Sequence, residues 1–186
     1  SEALAAAAVL AGHPSGLVRA AGYIETGQAQ LAAGRFQAVA EAANAALKEL
    51  KAAPDGAALV GPQFEVLQGA FLVRTNQRDK GRAMLQNVAR RIRQAPGPDA
   101  WVQTLFALES MARVGREAGD WATAAWAAGE MAAHDSNYAG THYALGLVAE
   151  HNGDTRAART AFALAERSWA KADPGLPELL VIRKAR

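Results

Sequence analysis

Cysteine is absent from this chain of 186 residues. Its absence excludes disulfides, thiolate metal sites and a cysteine nucleophile, and fits an exported (periplasmic) protein and a cytoplasmic one equally. Aromatic residues are scarce, at 6%, because alanine supplies much of the 51% hydrophobic content. No β-branched, period-two segment is long enough to argue for a sheet. No apolar run reads as long enough to cross a membrane, so no membrane insertion is expected. An excess of one charge is missing too. Lys plus Arg number 20 and Asp plus Glu 18, a formal charge of +2, which does not point to nucleic acid as a partner. Finally, no G-x-S-x-G, Walker A or G-x-G-x-x-G pattern occurs, and no local carboxylate pair stands out. The expectation is a non-enzymatic protein without a cofactor.

What remains is helix. Alanine is the best helix former, and its small side chain lets helices approach closely. Glycine and proline fall between helical runs as punctuation. Residues 3–11 superficially resemble the apolar part of a signal peptide, but Glu2 precedes them and no basic start exists. They read as the first helix of a processed or truncated chain. His13-Pro14-Ser15-Gly16 breaks that helix from the next, with Ser15 as N-cap. Pro54-Asp55-Gly56 stops a helix, and a loop of small residues leads to Pro62. Ala95-Pro96-Gly97-Pro98-Asp99 is the strongest break, with Asp99 placed to cap the helix that starts at Ala100. Asp135-Ser136-Asn137 opens another helix, and Pro177 starts a short final one.

The C-terminal half matches itself at a shift of 34 residues, aligning Gly119-Asp120 with Gly153-Asp154 and Ala124 with Ala158. That period belongs to stacked helix–turn–helix repeats. Turns at Gly34, Asn76, Gly119 and Gly153 divide one domain, 1–186, into four hairpins at about 17–53, 62–95, 100–134 and 136–172. An extra N-terminal helix precedes them, and a cap at 175–185 closes the chain. The longer early intervals are a 34-residue unit stretched by surface loops, which accept length cheaply.

The last hairpin resembles a tetratricopeptide repeat: Leu145-Gly146 in its first helix, Gly153-Asp154 at the turn, then Ala158, Phe162 and Ala165. Gly146 and Ala158 lack bulk where the helices cross, and Phe162 fills the adjoining space. The preceding hairpin keeps Gly119-Asp120 and Ala124 but has Met111-Ala112 where the family prefers Leu-Gly. The copies at Gly34-Arg35 and Asn76-Gln77 are looser. The segment from Trp169 to Leu179 looks like the ending of many bacterial arrays of this family. The resemblance implies an all-α, right-handed α-solenoid that binds a protein or peptide segment in its concave groove. It is nearly silent about which partner, because the repeated residues are structural.

Carried over position by position, the pattern puts Ile24, Gln28 and Leu31 on the groove in the first hairpin. The second contributes Val66, Ala70 and Arg74, and the third Phe106, Glu109, Arg113 and Arg116. The fourth contributes Tyr143, Leu147, Glu150 and His151. The places where some members grip a terminal carboxylate hold Ile24, Gln28, Leu67, Phe106 and Ser110, which do not suit that role. The groove arginines still suit an acidic peptide. Self-association through alanine-rich faces is a further possibility of this composition. An alternative function is a helical accessory domain of a larger enzyme or membrane-associated assembly.

Three other constellations have plain structural readings. His134, His142, Glu150 and His151 could in principle gather round a metal, but no pair has the three- or four-residue spacing of a helical zinc site. Local hydrogen bonding at turns is the default, and no metal is expected. Arg74, Arg78, Lys80, Arg82, Arg90, Arg91 and Arg93 form the densest basic run. With no aromatic interleaved to stack on bases, it reads as a solvated face favoured by a helix dipole. Trp101, Trp121, Trp126 and Trp169 read as packing residues.

Overall fold

The protein is described by a computed structural model covering residues 2–94 and 100–185. It is all-α, and no strand occurs among the described residues. Two compact units divide it, Ser1–Pro96 and Gly97–Arg186. The first contains α1 (Glu2–Ala11), α2 (Gly16–Ala32), α3 (Phe36–Ala52), α4 (Ala57–Arg74) and α5 (Arg78–Gln94). The second contains α6 (Ala100–Glu117), α7 (Trp121–His134), α8 (Ala139–His151), α9 (Thr155–Ser168) and α10 (Pro177–Lys184).

In each unit consecutive helices pack as antiparallel pairs: α2 with α3, α4 with α5, α6 with α7, α8 with α9. One turn chemistry makes all four. Gly34, Asn76, Gly119 and Gly153 adopt positive φ of 71°, 67°, 66° and 77°, the only such residues among those described. In each turn the next residue donates its N–H to a carbonyl five residues earlier: Arg35 to Gln30, Gln77 to Leu72, Asp120 to Gly115 and Asp154 to Ala149, at 2.8–2.9 Å. This is the Schellman ending, in which a left-handed residue lets the chain recover the last helical carbonyls. Asp120 and Asp154 then cap the next helix, accepting from the N–H of Thr123 at 3.2 Å and of Ala157 at 2.9 Å.

Counted from those turn residues, packing positions recur. Seven before lie Gly27, Gly69, Ala112 and Gly146; twelve after lie Ala46, Val88, Met131 and Ala165. All eight are buried. At Gly69 and Gly146 the return helix passes close, and at Gly27 it is Leu67 of α4 that does. A Cβ on Gly146 would lie 2.5 Å from the Phe162 ring, and one on Gly69 would lie 2.8 Å from Leu85. In both pairs the intruding side chain sits 16 positions later in the sequence. Leu67 and Leu85 in the first unit, and Leu108, Met111 and Met131 in the second, are 0–1% exposed. Burial of each such side chain stabilises its unit by about 1.5–3 kcal/mol. Arg19 also ties α2 to α3 through Glu49 at 2.7 Å, and Arg91 ties α5 to α4 through Glu65. In the second unit Ile182 of α10 packs against Ala158, Phe162 and Ala165 of α9.

Several boundaries differ from the sequence reading. The loop expected from Pro54 to Pro62 is a single 3₁₀ turn, Pro54–Gly56, after which α4 begins at Ala57 and carries Pro62 inside it. The helix formers Ala57, Ala58 and Leu59 outweigh a proline so near the helix start, where only the first-turn carbonyls are disturbed. The membrane reading changes with it. Pro54–Arg74 is a stretch of 21 residues with mean hydropathy 1.2, long and apolar enough to span a bilayer by length and composition. Phe64, Val66, Leu67, Ala70 and Val73 of that stretch are buried in the first unit. Ser15 occupies the N-cap position of α2 without a side-chain capping bond, and its N–H donates to His13 Nδ1. α8 starts at Ala139, not at 136, because Asp135 Oδ1 accepts from the N–H of Asn137 and holds a turn there. The Ala95–Asp99 break, with the Asp99 cap, lies outside the described residues.

Candidate functional site

α6 carries a stripe at helical spacing, Val102, Phe106, Glu109, Arg113 and Arg116, flanked by the buried face of Leu105, Leu108 and Met111. α8 packs against both α6 and α7, and its Gly140, Tyr143 and Ala144 face the lower part of that stripe. Together with Glu178 of α10 they enclose a cavity of about 190 Å³, lined by Glu109, Ser110, Arg113, Arg116 and Tyr143. Four of the fourteen expected groove residues therefore meet in one place: Glu109, Arg113, Arg116 and Tyr143.

The cavity places two carboxylates and two guanidinium groups round an aromatic ring. Arg116 lies over the Tyr143 ring, its Cζ 5.7 Å from the centroid, a cation–π contact. Burial pushes the Arg116 guanidinium below its ordinary pKa, and Arg113 nearby pushes the same way. Neither Arg113 nor Arg116 forms an ion pair among the described residues. Glu109 Oε2 accepts from the Tyr138 hydroxyl at 3.1 Å. Burial raises the Glu109 carboxyl pKa, the Tyr138 bond works against that rise, and Glu178 adds to it. Burial first, and then Glu109, hold the Tyr138 phenol up to about 12. Tyr143 is raised as well, by burial, with Arg116 opposing.

Sequence reasoning passed over Tyr138, Gly140 and Glu178. A Cβ on Gly140 would stand 2.4 Å from the Tyr138 ring and 2.7 Å from Glu109 Oε1, so glycine leaves room for that hydrogen-bonded pair. The available signal was the 34-residue shift itself, which sets Gly140 opposite Phe106 and marks a groove position without a side chain. Nothing local could signal Glu178, which reaches the cavity only because α10 folds back.

The remaining expected residues are placed elsewhere. Phe106 is 56% exposed, beside Val102 at 40%. Leu147 is half-buried and packs against the Phe162 cluster. Glu150 is exposed. His151 stacks on Trp121 with centroids 3.9 Å apart and planes 6° from parallel, joining α8 to the start of α7. Gln28 and Arg74 are half-buried and belong to the first unit. Ile24, Leu31, Val66 and Ala70, expected on the groove, are core residues at 1–5% exposure.

Local hydrogen bonding holds for His13, which accepts from the Ser15 N–H, whereas His134 and His151 contact tryptophans distant in the chain. His134 Nε2 lies 2.9 Å from the Trp101 carbonyl oxygen and its ring stacks on the Trp101 indole. No group of three or more ligating His, Asp or Glu side chains occurs among the described residues. Within the basic run, Arg91 is engaged by Glu65, and Arg82 lies 3.9 Å from Asp79. Trp169 packs on Tyr143 at 5.8 Å, whereas Trp101 is 48% exposed. Comparison with known protein families and with curated proteins finds no match to this chain.

Proposed function

We propose that the chain is a non-enzymatic interaction module of the tetratricopeptide type, which binds a protein or peptide segment on the α6–α8 face of its second unit. The helix pairs support the family reading through their shared register: a left-handed turn residue, a small residue seven positions before it and a buried residue twelve positions after it. One observation carries the functional reading. First helices of successive pairs contribute Glu109, Arg113, Arg116 and Tyr143 to a single partly enclosed cavity whose arginines have no ion-pair partner among the described residues. The half-buried Arg116 guanidinium loses solvation, and although Tyr143, Glu117 and Glu109 act on it electrostatically, none of them forms an ion pair with it. An incoming carboxylate or carbonyl supplies the missing acceptor.

The test compares partners captured by the intact chain and by an Arg113→Glu, Arg116→Glu variant from the native source, quantified side by side. Partners of the intact chain should be lost from the variant while helicity and melting temperature stay close to the parent. Equal capture by both removes this face from the reading.

A further inference from the structure

The α6 stripe changes character along its length, and the change restricts what fits. Its first part is apolar and open to solvent, with Val102 40% and Phe106 56% exposed. Its second part is cationic, with Arg113 exposed and Arg116 half-buried over Tyr143. Phe106 and Arg113 are seven residues apart, about 10.5 Å along the helix axis at 1.5 Å per residue. An extended chain covers that distance in about three residues, at 3.3–3.6 Å each.

Resting on the interaction-module reading above, we propose that this face takes an extended peptide segment carrying an apolar and an acidic side chain about three residues apart. The apolar side chain lies on Val102 and Phe106. The acidic one enters the cavity between Arg113 and Arg116. The two carboxylates in the cavity do not reverse this preference. Glu109 already accepts the Tyr138 hydroxyl, and that bond, with Gly140 giving it space, turns the carboxylate toward α8's first turn. Glu178 comes from α10 across the cavity and tempers the positive charge without pairing with it. Charge and apolar contact thus work at separate points, and the spacing between them provides the selectivity.

The experiment is a selection of random peptides, displayed with their C-termini fused so that no terminal carboxylate is free, on the intact chain. Enriched peptides are then measured by fluorescence polarisation against variants shown to be folded by circular dichroism. An apolar residue and an Asp or Glu about three positions apart should dominate the enriched set. Arg113→Glu with Arg116→Glu should weaken those peptides by at least about tenfold, and Phe106→Ser should weaken them too. Arg113→Gln with Arg116→Gln, a gentler change, should weaken them in the same direction. Glu178→Gln should tighten them, by up to about fivefold. Peptides that lack the acidic residue, or that bind both arginine variants as well as the parent, overturn the inference while leaving segment binding standing. Failure to enrich any peptide overturns both. Sedimentation showing a second copy of the chain seated on Phe106 also overturns the inference.

Discussion

Single residues in this protein are constrained mainly by how closely backbones approach. Gly115 is the sharpest case, because a Cβ there would lie 2.6 Å from the Ala124 backbone nitrogen and 3.0 Å from the Asp120 carbonyl oxygen. Backbone atoms cannot swing aside as a side-chain tip can. Alanine would gain about 1 kcal/mol of helix propensity, but overpacking costs about 1–3 kcal/mol, and the contact should win. Gly115→Ala is expected to lower the melting temperature; an unchanged or raised value would show that α6 and α7 can slide apart freely. Glu109 is constrained by charge. Its pKa is raised by burial in the folded chain, so the fold favours its neutral form. The associated stability is complete below the ordinary carboxylate pKa and is lost as pH rises through the raised value. Glu109→Gln removes that loss and keeps an acceptor for Tyr138. It should raise the melting temperature at neutral pH and leave it nearly unchanged at acid pH. A benefit that persists equally at acid pH would mean that ionisation of Glu109 is not its source.

Helices here begin and end by a shared device, used with unequal completeness. α7 and α9 come after Asp120 and Asp154, whose carboxylates cap them. α3 comes after Arg35, whose backbone at φ −90° and ψ 71° matches Asp120 at −90° and 73° but whose side chain caps nothing. The geometry for a cap is present and the acceptor is missing. Arg35→Asp should therefore stabilise the first unit, by about 1 kcal/mol. Thermal unfolding would reveal it, and a loss of stability would show that the Arg35 contact with Gln30 outweighs a cap. The turns themselves were legible in advance, since Gly34, Asn76, Gly119 and Gly153 are residues that tolerate positive φ. The start of α4 was not legible. Pro62 reads locally as a breaker, and the packing of Phe64, Leu67 and Val73 into the first unit adds to the helix formers before it in carrying the helix through.

For the molecule as a whole, the proposed binding through Arg113 and Arg116 would carry an electrostatic signature. Affinity for an acidic segment should fall as salt is raised, since Arg113 is exposed and screened. A salt-independent affinity would place the energy on the apolar half of the stripe instead. Isothermal titration at two ionic strengths separates these. The candidate site was half visible from the sequence. The resemblance to tetratricopeptide repeats, carried over position by position, named Glu109, Arg113, Arg116 and Tyr143, which line one cavity. It could not reveal that Ile24, Leu31, Val66 and Ala70 turn into the core, or that Tyr138 and Glu178 reach the cavity. Helix type, helix number and the turn positions come from composition and punctuation, which act over a few residues and need no partner. Which faces stay open, how Arg116 comes to lie over Tyr143, and where the apolar half of α6 meets the charged half were decided by packing. Those features depend on the distance between helices far apart in the chain, and no local pattern encodes that distance.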